Sequence, residues 1–197
     1  MPEPRSLLIL DNAFSKEQQD YIENFVINDQ FPWFFQRDIA GAEYTANDEN
    51  YFPSSGLTHV SYNYEKINSI YFKDEINFEK IVSDLAKAFS VELKEILRIK
   101  LNLTTPIPRY KSNNYCTPHT DIATPHWVLL YYINDCDGDT IFFENPTVGN
   151  QNPLKITYRV SPKKGTCVLF DGSIYHTSSN PINSPMRVNL NANVILL

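Results

Sequence analysis

From Leu97 the chain alternates: Leu97, Ile99, Leu101 and Leu103 stand against Arg98, Lys100, Asn102 and Thr104. Successive side chains of a strand point to opposite faces, so this pattern spells a strand with one apolar and one polar face. The device returns near the end, where Arg187, Asn189 and Asn191 alternate with Val188, Leu190 and Ala192. Between these two segments lie further strand-like runs at Trp127–Asn134, Thr140–Glu144, Leu154–Val160 and Thr166–Phe170, with a short piece around Tyr175. Turn signals at Asp135–Asp139 and a Pro/Asn/Gly-rich stretch at 145–153 separate them. Twelve Phe, twelve Tyr and two Trp suit the half-buried surfaces of a sheet.

The first half reads differently. Leu7–Leu10 is a short apolar run expected to form a buried strand. Ser15 opens a capping box with Gln18, and Tyr21, Ile22, Phe25 and Val26 recur at helical spacing, which predicts a helix over about 15–28. Ile81, Leu85, Ala88 and Phe89 predict a second over about 77–90. Residues 31–63 are aromatic but aperiodic, and fit either a packed irregular cap or a mobile lid. Within them Trp33, Phe34 and Phe35 read as core packing ahead of a substrate patch. The expected fold class is α+β, mainly β, with helices packed outside a sandwich or barrel. A chain of 197 residues fits one domain, with 1–95 as strand, helices and cap and 96–197 as the β core.

A net charge of −6 without a basic run argues against a nucleic-acid or anionic-membrane binder. No apolar stretch approaches the roughly 20 residues of a membrane span. The start, Met1-Pro2-Glu3-Pro4-Arg5, lacks the pattern of a secretory signal. Cys116, Cys136 and Cys167 are an odd set with no C-x-x-C pair, so reduced thiols in a cytoplasmic setting are expected.

His119-Thr120-Asp121 separates this chain from a generic β domain. In extended backbone, His119 and Asp121 project to one face while Thr120 turns away. His176, after the Asp171-Gly172-Ser173 turn, is the natural third member. A two-His, one-carboxylate face with open positions suits catalytic iron(II); the same set can also hold zinc and activate water. A non-catalytic metal-binding module is the remaining alternative. Arg187, eleven residues after His176, calls for an anionic partner, and a carboxylate accepts its fork bidentately. His126 follows a proline and reads as a residue of the barrel mouth, His59 as a packing or surface residue, and Asp171 as a turn residue.

These segments resemble the iron(II)/2-oxoglutarate-dependent dioxygenases, most closely their prolyl 4-hydroxylase-like branch. The matching text is Tyr115-Cys-Thr-Pro-His119-Thr-Asp121, Val128-Leu-Leu-Tyr-Tyr-Ile-Asn134 and Gly138-Asp-Thr-Ile-Phe-Phe143. It continues as Gly165-Thr-Cys-Val-Leu-Phe170, His176-Thr-Ser and Arg187-Val-Asn189. The layout is also similar to small stand-alone oxygenases of phages, and for a phage-encoded chain the cytoplasm would be the host's. The resemblance covers about 95–197 and implies a double-stranded β-helix, a cupin-like jelly roll. It implies iron(II) on His119, Asp121 and His176, with 2-oxoglutarate as co-substrate and O2 as oxidant. It places the distal carboxylate of 2-oxoglutarate on Arg187, with Tyr132 assisting and Asn102, Tyr110 and Asn189 as further pocket residues. Ascorbate is an optional reductant in this reading. The implied activity is hydroxylation of a C–H bond of a prolyl peptide, amino acid or other small molecule, with release of succinate and CO2. Related halogenases lack the ligating carboxylate, whereas Asp121 is present. One departure is Gly138-Asp139, where the family pattern has a glycine pair; a differently shaped turn is expected there.

Overall fold

The computed structural model describes residues 7–39, 48–63, 75–145 and 153–197. Strand β1 (Leu7–Leu10) is followed by helix α1 (Lys16–Val26), β2 (Phe34–Gln36), β3 (Gly56–Asn63), helix α2 (Phe78–Ala88) and β4 (Leu93–Thr104). Then come β5 (Trp127–Tyr132), β6 (Thr140–Phe143), β7 (Ile156–Val160), β8 (Cys167–Asp171), β9 (His176–Ser178) and β10 (Arg187–Leu196). Both helices start where the sequence signals them: Ser15 Oγ accepts from the Gln18 amide at 3.3 Å, and Asn77 Oδ1 accepts from the Lys80 amide at 2.8 Å.

Seven strands pair antiparallel in the order β1-β8-β5-β10-β4-β3-β2, and three more in the order β7-β6-β9. The alternation in β4 and β10 resolves into two faces. On the outer face Ile99, Leu101, Leu129, Leu190 and Ala192 join Ile22 and Val26 of α1 and Val82 and Leu85 of α2 in one buried cluster. On the inner face Val128, Tyr132, Val168 and Phe170 of the large sheet meet Phe142 and Val160 of the small one. Two sheets therefore pack face to face with the helices outside, the layering of a double-stranded β-helix.

Residues 31–63 carry two strands that the sequence pattern did not reveal. β3 pairs with β4 along its length, but a register shift between Val60 and Tyr62 breaks its period of two. β2 is a three-residue strand at the sheet edge; Phe34 and Phe35 are 53% and 69% exposed there, so they do not pack in the core. Trp33 packs against the outer cluster, and His59 is buried, its Nδ1 3.0 Å from the Pro32 carbonyl and its ring on Phe31. Residues 40–47 of the proposed cap and 146–152 of the long loop lie outside the described residues. β4 begins at Leu93, four residues earlier than the alternation suggests, because two register shifts let it continue beside Ile195 and Leu196. Among the described residues no helix is long and apolar enough to cross a membrane. The three cysteines are free thiols.

Candidate active site

His119 and His176 face each other across an isolated antiparallel bridge. Each backbone amide donates to the other's carbonyl at 3.0 Å. This ladder rung ties the 115–121 segment to β9, and β9 in turn pairs with β6 through Phe142. The two imidazoles lie 4.9 Å apart between centroids. Their Nδ1 atoms sit 2.8 Å from the Thr117 carbonyl and 3.0 Å from the Ile174 carbonyl. A carbonyl can only accept, so each ring carries its proton on Nδ1 and leaves the Nε2 lone pair free, the tautomer a metal ligand needs. Burial pulls His176 down to about 4, against the opposing pull of Asp121, so this ring is neutral at ordinary pH.

Asp121 faces both rings: Oδ1 is 4.0 Å from His119 Nε2, and Oδ2 is 3.8 Å from His176 Nε2. Donor atoms of the three residues all fall within 4.8 Å of one another. A cation between them would have two neutral imidazoles and one carboxylate, which fits a divalent metal with open positions. Three side chains hold the carboxylate. Arg98 Nη2 donates to Oδ1 at 2.9 Å, Asn193 Nδ2 donates to Oδ2 at 2.9 Å, and Asn191 Nδ2 reaches both oxygens at 3.3 and 3.1 Å. Burial alone would raise the Asp121 carboxyl; His176, Arg98 and His119 outweigh it and hold it well below the usual carboxylate range. Sequence reasoning missed Arg98 and Asn193 as supports, although Asn193 continues the i, i+2 run of Arg187, Asn189 and Asn191.

The cluster opens into a cavity of about 90 Å³, several times the roughly 10–15 Å³ that one water requires. Arg187 lines its far end. Its Nε donates to the Gly138 carbonyl at 2.9 Å and its Nη2 to Thr140 Oγ1 at 2.8 Å, with the guanidinium carbon 5.7 Å from the Tyr132 ring centroid. Gly138 is required at that turn, because a Cβ there would stand 2.6 Å from the Ser179 carbonyl. Asp139, in place of a second glycine, turns outward: its carboxylate accepts from Ser161 Oγ at 2.8 Å and Arg159 Nη1 at 3.5 Å. Arg187 is 4% exposed, and among the described residues it forms no salt bridge.

Asn102 and Asn189 also line the cavity, joined by a 3.2 Å hydrogen bond from Asn102 Nδ2 to Asn189 Oδ1. Tyr132 and Tyr110 are not among the lining residues. Tyr132 is fully buried, its hydroxyl donating to Thr140 Oγ1 at 2.7 Å, and Tyr110 is buried against Phe52. His126 lies apart from the triad, its ring against Gly172 in a separate groove that Thr120 also lines. Asp171 closes its own turn, accepting from the Ser173 amide at 2.8 Å.

Solved structures of very different sequence share this architecture. A 2OG-Fe(II) oxygenase family oxidoreductase from Burkholderia pseudomallei aligns over 95% of this chain and 84% of its own at 13% identity, with a TM-score of 0.57. This chain shares the fold of the 2OG-Fe(II) oxygenases. A Trichoplax adhaerens prolyl hydroxylase, solved with a hypoxia-inducible-factor peptide, aligns at TM-score 0.61 and 11% identity over 97% of this chain and 84% of its own. The α-ketoglutarate-dependent epimerase SnoN of nogalamycin biosynthesis gives 0.61 and 10% over 97% and 78%. No protein-family model and no curated protein sequence matches the chain.

Proposed function

We propose that the chain is an iron(II)- and 2-oxoglutarate-dependent dioxygenase that hydroxylates a C–H bond of its substrate. The observation that carries this reading is Arg187: a buried guanidinium without a carboxylate partner among the described residues, at one end of a cavity whose other end holds a His-Asp-His cluster. A buried charge needs a counter-ion, and a diacid that also chelates the metal supplies one. A zinc hydrolase would use the triad but leave Arg187 without a role. The fold shared with 2-oxoglutarate enzymes supports the same choice.

In this reading His119, Asp121 and His176 hold the metal, and residues 1–197 act as one catalytic domain. Iron with 2-oxoglutarate and O2 supplies the oxidising chemistry: one oxygen atom enters succinate, CO2 leaves, and the other oxygen enters the substrate as hydroxyl. The residues of the chain do the positioning. Arg187 fixes the distal carboxylate, Thr140 and the Gly138 carbonyl aim its guanidinium, and Tyr132 braces Thr140 and the guanidinium. Asn102 and Asn189 offer amides along the path, and Tyr110 supports the wall behind Cys116. Leu130 on β5 gives the cavity an apolar wall, and the Phe142 ring packs against His176. The reading places the enzyme in a cytoplasmic setting, with ascorbate as an optional reductant.

Anaerobic addition of iron(II) and then 2-oxoglutarate should produce a weak visible charge-transfer band, and admission of air should release succinate. Absence of both would sink the oxygenase reading; activity with zinc and without O2 would favour the hydrolase.

A further inference from the structure

The cavity has a second cationic end that 2-oxoglutarate does not need. Arg98 and Lys100 stand two residues apart on the inner face of β4, and both line the cavity beside Asp121. In register, Lys100 faces Asn191 of β10, whereas Thr104 faces Arg187. Four residues of strand separate those rungs, about 13 Å along β4 at ~3.3 Å per residue. The two cationic ends are thus distinct, with the His-Asp-His cluster beside Arg98. The Arg98 side chain is 22% exposed, while Arg187 is buried, so the Arg98 end lies toward the opening.

Donors at this end are left over. Arg98 gives Nη2 to Asp121, but its Nε is buried without an acceptor among the described residues. Lys100 Nζ donates to the Ile39 carbonyl at 3.2 Å. Two like charges on adjacent same-face positions repel. Burial, with Arg98 beside it, pushes the Lys100 amine down, and Asp121 and Asp38 pull it back. Among the described residues the cavity lining carries three cations, Arg98, Lys100 and Arg187, against one carboxylate, Asp121. A divalent metal and the 2-oxoglutarate dianion cancel each other, and Asp38 offsets at most one more charge. Positive charge remains at the mouth.

We propose that Arg98 and Lys100 form a subsite for an oxyanion carried by the substrate, a carboxylate or phosphate group held beside the metal. The proposal rests on the dioxygenase reading for the word substrate, but the subsite can be tested without turnover. An oxyanion lying between the two side chains accepts from the Arg98 guanidinium and from the Lys100 ammonium, and relieves their repulsion. It also sets specificity. A neutral analogue would leave the like charges of Arg98 and Lys100 uncompensated beside the metal site, a larger loss than a missing methylene.

The test is calorimetric titration of inorganic phosphate and, separately, of acetate into the Mn(II)-loaded protein saturated with 2-oxoglutarate. At least one of the two anions should bind, and which binds more tightly distinguishes phosphate from carboxylate as the group recognised. Lys100→Met should weaken that anion at least tenfold while changing 2-oxoglutarate affinity less than twofold. Lys100→Arg should restore binding, and thermal melts of both variants establish that they are folded. Arg187→Met should show the reverse pattern, losing 2-oxoglutarate and keeping the anion. Failure of both anions to bind overturns the subsite, as does anion binding that ignores Lys100→Met, since the metal alone then holds the ion. A Lys100→Met loss of 2-oxoglutarate as large as that of Arg187→Met also overturns it, because both cations then serve one co-substrate. If 2-oxoglutarate fails to bind the unaltered protein, the dioxygenase reading falls. The same phosphate and acetate titrations into Arg187→Met, with and without Lys100→Met, still decide the subsite.

Discussion

The two faces of β4 and β10 are built from one stretch of backbone and do opposite things. Outward, Ile99, Leu101, Val188, Leu190 and Ala192 are buried against α1 and α2 and hold no polar atom beyond the ladder itself. Inward, Arg98, Lys100, Asn102, Arg187, Asn189 and Asn191 line a cavity, and buried Arg98 Nε and Asn191 Oδ1 there lack partners among the described residues. Apolar burial stabilises by roughly 25 cal/mol per Å², whereas an unpaired buried polar group costs about 1–3 kcal/mol. The outer face therefore supplies stability that offsets the incompletely paired groups of the inner face. A stable outer layer is what lets a charged, incompletely paired interior persist.

Four substitutions break or sharpen that division. Asp121→Ala should eliminate metal retention and succinate formation altogether, read by metal analysis and product assay. On the other face, Leu190→Ala removes a fully buried side chain and should cost about 2–5 kcal/mol of stability in a denaturant titration. Its folded fraction should bind 2-oxoglutarate with unchanged affinity; a large affinity change would show that the faces are not separable. Arg187→Ala should raise the 2-oxoglutarate requirement by about 1.5–3 kcal/mol, the worth of a charge-assisted contact, measured by calorimetry or succinate release.

The smallest effect belongs to a residue on neither face. Asp137 accepts from the backbone amides of Ile182, Asn183 and Ser184 at 3.1, 2.8 and 3.2 Å. Burial would raise its carboxyl, but those amides together outweigh it and hold the group well below the usual range. Its folded pKa lies below the unfolded value of 3.8, so its contribution is present above that pH and lost as pH falls further. Asp137→Ala should cost about 1 kcal/mol at neutral pH and leave 2-oxoglutarate binding alone. Its melting temperature should converge on that of the unaltered protein in acid.

The legible parts of the sequence were those where one physical rule acted alone. The alternation of β4 and β10 survives because each strand has a dry face and a cavity face. His119 and Asp121 are readable because i and i+2 share a face, and the start of the first helix because Ser15 serves the Gln18 amide. β3 was hidden by its bulge and by polar residues on both sides, and β2 by its length of three. Phe34 and Phe35 look like core residues until the sheet order puts them at an edge. The grip of Arg98 and Asn193 on Asp121 was hidden for another reason: it joins positions 23 and 72 residues away, and only the pairing of β10 with β4 brings them together.

The rung between His119 and His176 has one more consequence. Two reciprocal amide–carbonyl bonds clamp the backbones of both imidazole bearers, so the bite of the site follows the pitch of a β-ladder. An ion that prefers a wider or narrower spacing would have to disturb the rung or the Nδ1–carbonyl bonds that orient both rings. Asp121 is likewise held by Arg98, Asn191 and Asn193, so choice among divalent ions would fall to the open coordination positions, where incoming molecules have room to adjust. The template is cast in backbone, and tuning is left to what binds last.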